Sequence, residues 1–211
     1  YQILCVSQCD LVATMADLFY FFHKITPFSP KEFIYPQTPI MSYLQKNAGI
    51  SRFWGYGGGY ISANFQTYDK TFSPEGRDPL HLKAYTEFIE TAKDGKLPQT
   101  LPRPDANLEQ DYGVGNLTNN PYRKKILNLL GVKYIVHKDE LLQDPSAPQV
   151  NTFPEKEYQL VWYQAPWQIY ENKDVAPRAF LASDYIVVKD RGKIIENFYQ
   201  PSFNEETTII L

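Results

Sequence analysis

Residues 127–138 (LNLLGVKYIVHK) constrain the fold more than any other stretch of this sequence. The apolar start is typical of a helix end, and Gly131 stands where a C-cap glycine is expected. Val132, Tyr134 and Val136 then alternate with other residues, which indicates a strand. The stretch therefore predicts a helix that runs directly into a core strand.

Two other segments offer partners for this strand. Residues 40–48 predict an amphipathic helix that follows Thr38-Pro39 and ends at Gly49, and residues 52–56 predict the next strand. Residues 158–172 alternate on both sides of a central Ala-Pro turn, which indicates a hairpin. We predict a mixed α/β fold, with a mixed sheet, flanking helices and proline-rich loops. Its core sheet places 132–136 beside 52–56 and 167–172.

The remaining segments carry weaker patterns. Asp78-Pro79 is typical of a helix start, and its apolar side would be formed by Leu80, Leu82, Tyr85, Phe88 and Ile89. Glycine and proline mark residues 94–121 as a long loop, and the acidic, proline-rich 139–154 as another. Three last elements are predicted: a strand at 180–188, a short helix or turn at 192–199 and a strand at 207–211.

Composition excludes some classes of partner. A net charge of -3 with both signs spread along the chain gives no basic face, so we expect no nucleic-acid partner. The chain contains 16 Tyr, 13 Phe and 3 Trp, which is more aromatic residues than proteins ordinarily have. Such aromatic content suits a mixed core, a carbohydrate-facing surface or a membrane interface. Cys5 and Cys9 have neither redox-pair nor zinc spacing.

The first 22 residues form the most hydrophobic run. Gln8, Asp10 and Asp17 interrupt it, so it lacks the roughly 20 apolar residues of a membrane-spanning helix. A buried amphipathic helix of a soluble domain and a helix that leaves a membrane both remain open. The chain starts at Tyr1 without an initiator Met or a signal-peptide layout, so we expect a piece of a longer protein.

Several phrases together resemble the YfhO family of polytopic bacterial membrane proteins, which are related to GT-C glycosyltransferases that use lipid-linked sugars. The phrases are an acidic helix exit at 17–19, YPQTP at 35–39, GRDPL at 76–80, LLGVKYIV at 129–136, IYEN at 169–172, PRAFL at 177–181 and FNEETTIIL at 203–211. Asn204 stands where the family usually has Asp.

The resemblance implies a domain organisation and a location. Residues 1–39 would be a membrane-exit helix and linker, and residues 40–211 an extracytoplasmic mixed α/β domain at the cell membrane. Catalytic carboxylates are expected upstream of this chain. The chain itself is then expected to be non-catalytic, whereas the parent protein would be a glycosyltransferase.

No catalytic or metal-binding pattern stands out in the residues themselves. His23, His81 and His137 lack ligand spacing, and no Ser has a nucleophile-elbow context. Gly57–Gly59 lacks the Lys-Ser/Thr of a phosphate loop. We therefore predict no catalytic residue, no metal and no cofactor in this chain.

A candidate ligand site lies between Gly57 and Asp78. Asn64, Tyr68, Arg77 and Asp78 offer donors, acceptors and a ring, which is what a sugar face requires. The competing interpretation is structural, with Asn64 satisfying a turn, Asp78 capping a helix and Arg77 lying in solvent.

Two functions follow as alternatives. In one, the chain is the extracytoplasmic domain of a lipid-linked-sugar-dependent protein and assists glycosylation of a cell-envelope acceptor. In the other, it is a non-catalytic carbohydrate-binding or interaction domain. The full reading frame distinguishes them, since only the first requires many hydrophobic spans before Tyr1.

Overall fold

The computed structural model describes residues 2–25, 30–62, 64–80, 82–101, 105–108, 116–138 and 153–211. The chain divides into two units, Tyr1–Gln37 and Thr38–Leu211. The first unit holds helix α1 (Gln2–Ile25) and a short 3-10 turn at Lys31–Phe33. The described side chains of α1, residues 9–24, are exposed. Among the residues that the structure describes, no helix has the length and apolar character needed to cross a membrane.

A four-stranded mixed sheet forms the centre of the second unit. Its order is β1, β4, β6, β5, where β1 is Arg52–Tyr56, β4 is Val132–Lys138, β5 is Tyr158–Gln164 and β6 is Trp167–Asn172. β1 and β4 are parallel, whereas β6 is antiparallel to both of its neighbours. The predicted fold class and the predicted placement of β4 between β1 and β6 are confirmed. The predicted hairpin is β5–β6, which turns at the cis peptide Ala165-Pro166.

The predicted helix-to-strand junction is also confirmed. Helix α6 (Pro121–Leu129) begins after Asn120, whose side chain accepts a hydrogen bond of 3.0 Å from the Arg123 amide. Gly131 has a φ of +68°, the left-handed conformation that ends a helix at low cost for glycine. The chain then enters β4, where Val132 and Val136 are fully buried.

The two faces of the sheet bury different clusters. Trp54 and Ile135 pack on the face covered by helices α4 (Lys83–Glu90), α6 and α7 (Arg191–Phe198). The opposite face buries Phe53, Tyr134, Val136 and Ile169 against helix α2 (Pro39–Asn47). The sheet is therefore covered by helices on both sides.

The alternation predicted for Val132, Tyr134 and Val136 fails at Val132, which faces the other side of the sheet. Val132 belongs to the same cluster as Ile135, whereas Tyr134 and Val136 belong to the other cluster. The reason is a register shift, in which Arg52 pairs with Val132 but Phe53 pairs with Tyr134. The extra residue in β4 is Lys133, and a bulge of this kind turns the preceding side chain to the other face.

Several peripheral predictions need correction. The helix predicted at Asp78 begins only at Lys83, and Leu80 and Leu82 are exposed instead of forming its apolar side. The strand predicted at 180–188 is reduced to β7 (Asp184–Ile186), which pairs in parallel with β8 (Thr208–Ile210). The predicted loop 94–121 contains β3 (Asp105–Ala106) and the single turn α5 (Asn116–Asn119). Residues 139–152 of the other predicted loop lie outside the described residues.

Candidate functional site

The candidate region starts with the three glycines after β1. Gly57–Gly59 form a 3-10 turn, and Gly57 has a φ of +56°. A Cβ atom on Gly59 would lie 2.4 Å from the Val136 carbonyl oxygen, which is far inside van der Waals contact. The glycines thus allow the main chain to pack closely on β4.

The Asn64 side chain forms hydrogen bonds with the main chain of Arg77. Asn64 has a φ of 79° just before helix α3 (Phe65–Asp69), a conformation that asparagine tolerates better than most residues. Its Nδ2 donates to the Arg77 carbonyl oxygen at 2.8 Å, and its Oδ1 accepts from the Arg77 amide at 3.2 Å. The Asn64 side chain therefore joins α3 to β2 (Gly76–Arg77).

Asp78 has a local structural contact of a different kind. Its Oδ1 accepts a hydrogen bond of 2.8 Å from the Leu80 amide, which forms an Asx turn and not a helix cap. α4 starts five residues after Asp78, with Leu82 at its N-cap position and no side-chain cap. Asp78 and its neighbour Arg77 are both exposed.

Tyr68 supplies the exposed ring of the predicted site. Tyr68 is 53% exposed on α3, and Phe65 on the same helix and Tyr60 before it in the sequence are also exposed. Exposed aromatic rings are groups on which sugar rings stack. The structure thus places Asn64, Tyr68, Arg77 and Asp78 on α3, β2 and the turn after β2. Their role in ligand binding stays a prediction.

The structure adds Glu75, which the sequence reasoning missed. Glu75 is only 6% exposed. Its Oε1 accepts two hydrogen bonds, from Trp54 Nε1 at 3.0 Å and from the Leu108 amide at 2.9 Å. Its carbonyl oxygen accepts from Gln66 Nε2 at 3.0 Å. Glu75 therefore joins the core strand β1 to α3 and to the segment that follows β3.

Burial alters the acidity of this carboxyl group. Desolvation raises the pKa of Glu75 to about 7, against the smaller opposing effect of the hydrogen bonds from Trp54 and Leu108. Tyr85 lies close by, and its hydroxyl donates to the Pro74 carbonyl oxygen at 2.7 Å. Burial raises the pKa of Tyr85, and the Glu75 charge raises it further, whereas the positive charge of Arg52 lowers it.

A carboxyl of this kind exchanges a proton near neutral pH. General acid or base chemistry also needs a reacting group within hydrogen-bond reach. The partners that the structure gives Oε1 are an indole and a main-chain amide, which are structural donors. We therefore treat Glu75 as a buried support of the candidate surface, which consists of Asn64, Tyr68, Arg77 and Asp78. No sequence pattern could have revealed it, because a Glu between proline and glycine is typical of an exposed turn.

The histidines do not assemble a metal centre in the part of the chain that the structure describes. No group of three or more His, Cys, Asp or Glu side chains there has the geometry to hold a metal ion. His137 instead stacks on Tyr56 with 6.0 Å between ring centroids, and lies 5.2 Å from the Phe153 ring. His23 lies exposed in α1, and His81 lies outside the described residues.

The candidate surface is thus a set of exposed rings and polar groups held by a well-connected scaffold. Comparisons of the chain with protein-family models, with curated proteins and with solved structures each find no match.

Proposed function

We propose that this chain is the extracytoplasmic domain of a membrane protein that resembles the YfhO family, and that it assists glycosylation of a cell-envelope acceptor. In this proposal the Thr38–Leu211 unit contacts a glycan or the sugar of a lipid-linked donor through Tyr68 and Arg77. The observation that carries the proposal is the exposed Tyr68 ring on α3, the helix that the Asn64 side chain joins to Arg77 through two hydrogen bonds.

The scaffold supports binding because it is formed before a ligand arrives. The two hydrogen bonds between Asn64 and the Arg77 main chain hold α3 and β2 together. Glu75, which lies between α3 and β2 in the sequence, accepts a hydrogen bond from the buried Trp54 indole. A surface that is already ordered loses less conformational entropy on binding than a flexible loop does.

Helix α1 supports the membrane part of the proposal. Large apolar side chains are exposed along it: Leu11, Val12, Met15, Leu18, Phe19, Tyr20, Phe21 and Phe22. Tyr20 lies near its C-terminal end, and Tyr side chains are enriched at membrane interfaces.

A sugar titration of the whole chain tests the glycan contact. Chemical shifts of the amides on α3 and β2 should change saturably as neutral and acetylated hexose oligosaccharides are added. Tyr68→Ala should weaken binding about tenfold, since stacking and the loss of ring burial together contribute roughly 1–2 kcal/mol. The melting temperature should stay nearly unchanged, because Tyr68 is exposed.

Tyr163→Ala is the matched control, because Tyr163 on β5 is 58% exposed and lies outside the candidate surface. Arg77→Ala should weaken binding as well. Asn64→Ala should lower both stability and affinity, since it removes the bonds to Arg77. Equal effects of Tyr68→Ala and Tyr163→Ala would refute the proposed surface.

The role in glycosylation is tested in cells with the full-length protein. Tyr68→Ala should reduce glycan modification of the cell envelope at an unchanged protein level, and Tyr163→Ala should not. If the purified chain binds sugar but Tyr68→Ala leaves envelope glycosylation intact, the alternative of an independent carbohydrate-binding domain replaces the proposal.

A further inference from the structure

Two arginines lie together at the start of β1. Arg52, the first residue of β1, is half-buried, and its Nη1 donates to the Leu130 carbonyl oxygen. Arg178 is exposed, and its Nη1 donates to the Ile50 carbonyl oxygen at 2.9 Å. The Arg178 guanidinium also lies 5.0 Å from the centroid of the Phe72 ring.

The main chain explains why the two guanidinium groups are neighbours. Arg52 forms a parallel bridge with Phe72, and the Phe53 amide donates to the Phe72 carbonyl oxygen at 2.8 Å. Phe72 is thus held beside Arg52 while its ring contacts Arg178. Burial lowers the pKa of Arg52, and the positive charge of Arg178 lowers it further, in agreement with this proximity.

No carboxylate among the described residues balances these two charges. Neither Arg52 nor Arg178 forms an ion pair there, whereas Arg191, Lys125 and Lys133 each contact a glutamate. Each guanidinium has five N–H donors, of which the carbonyl oxygens of Leu130 and Ile50 take one each. The arrangement leaves donors and positive charge for a further acceptor.

We infer that Arg52 and Arg178 form a binding site for a phosphate group. Two adjacent guanidinium groups repel each other, but each is attracted to a dianion that lies between them, and this attraction outweighs the repulsion. Arginine also matches the geometry of phosphate oxygens with paired N–H donors. The Phe72 ring below Arg178 holds that guanidinium in place, as cation–π contacts do. This inference does not rest on the proposed function.

The test uses the whole chain and two sources of phosphate. Inorganic phosphate is added at constant ionic strength while the Nε–Hε resonances of the arginines are followed. We expect saturable shifts at Arg52 and Arg178 alone. A second arm measures binding to vesicles of phosphatidylcholine with and without phosphatidic acid. Saturation by inorganic phosphate identifies a soluble source, and binding only to phosphatidic acid vesicles identifies a lipid headgroup.

Arg178→Gln should weaken phosphate binding at least tenfold and abolish the shift at Arg52, and Arg178→Lys should keep part of the affinity. Arg191→Gln is the matched control, because it removes the same charge from an exposed arginine elsewhere and should leave binding unchanged. The inference is overturned if inorganic phosphate shifts neither resonance and phosphatidic acid does not increase binding to the vesicles. It is also overturned if Arg191→Gln weakens binding as much as Arg178→Gln does.

Discussion

At the scale of single residues, Glu75 links stability to pH. Its pKa of about 7 in the folded chain lies above the usual 4.5, so the folded state holds more protons than the unfolded state between these values. The free energy of unfolding that depends on Glu75 is therefore largest below pH 4.5. It falls as the pH rises to about 7, by roughly 3 kcal/mol.

Glu75→Gln should remove this dependence. The amide oxygen still accepts from Trp54 and Leu108, but glutamine does not ionise. Urea unfolding across a pH series should show the variant more stable than the parent at about pH 8 and no more stable in acid. Glu196→Gln, at an exposed position, is the control and should leave the pH profile unchanged. Parallel profiles for Glu75→Gln and the parent would contradict the prediction.

Gly59 is a second residue that determines local structure, because its lack of a side chain allows the main chain to pack closely on β4. Gly59→Ala should destabilise the chain by roughly 1–3 kcal/mol, because the new Cβ would overlap the Val136 carbonyl oxygen and the sheet must move. Gly76→Ala is the matched control, since a Cβ there meets nothing within 4 Å. Thermal unfolding of the two variants provides the measurement, and equal melting temperatures would show that the close approach is unimportant.

At the scale of elements, β4 is the strand on which the others depend. It pairs with both β1 and β6. Val132 at its start is fully buried on the face of the sheet that α4, α6 and α7 cover. Val132→Asp should unfold the second unit, because an unpaired buried carboxylate costs several kcal/mol against a total stability of roughly 5–15 kcal/mol.

Val187→Asp places the same carboxylate at a position that is 65% exposed and should change stability little. Circular dichroism of both variants at 25 °C and neutral pH checks the pair. A folded Val132→Asp variant with native near-UV signal would show that β4 is not essential to the core.

At the scale of the whole molecule, all the described core side chains belong to Thr38–Leu211. Expressed without residues 1–37, this unit should therefore unfold in one cooperative transition, since its two clusters share the same sheet. Tryptophan fluorescence, to which the buried Trp54 contributes, and near-UV circular dichroism should report the same midpoint. Different midpoints, or strong binding of a hydrophobic dye before unfolding, would contradict the prediction.

Local patterns in the sequence determined the elements of the central sheet. Gly49 and Gly131 mark helix ends because the left-handed conformation is a property of single residues. The hairpin β5–β6 likewise follows from alternation on either side of a turn. The placement of β4 beside β1 and β6 could be predicted from the alternation in the three segments and from the helix ends at Gly49 and Gly131.

Tertiary structure alone decided the bulge at Lys133, the burial of Glu75 and the pairing of Arg52 with Arg178. Each depends on segments far apart in the chain: Glu75 meets Trp54 and Leu108, and Arg178 meets Phe72. Burial, desolvation and repulsion act through space, whereas sequence patterns report only neighbours along the chain. For the same reason the sequence could select residues 57–78 as a candidate surface, but not the carboxyl group that supports it.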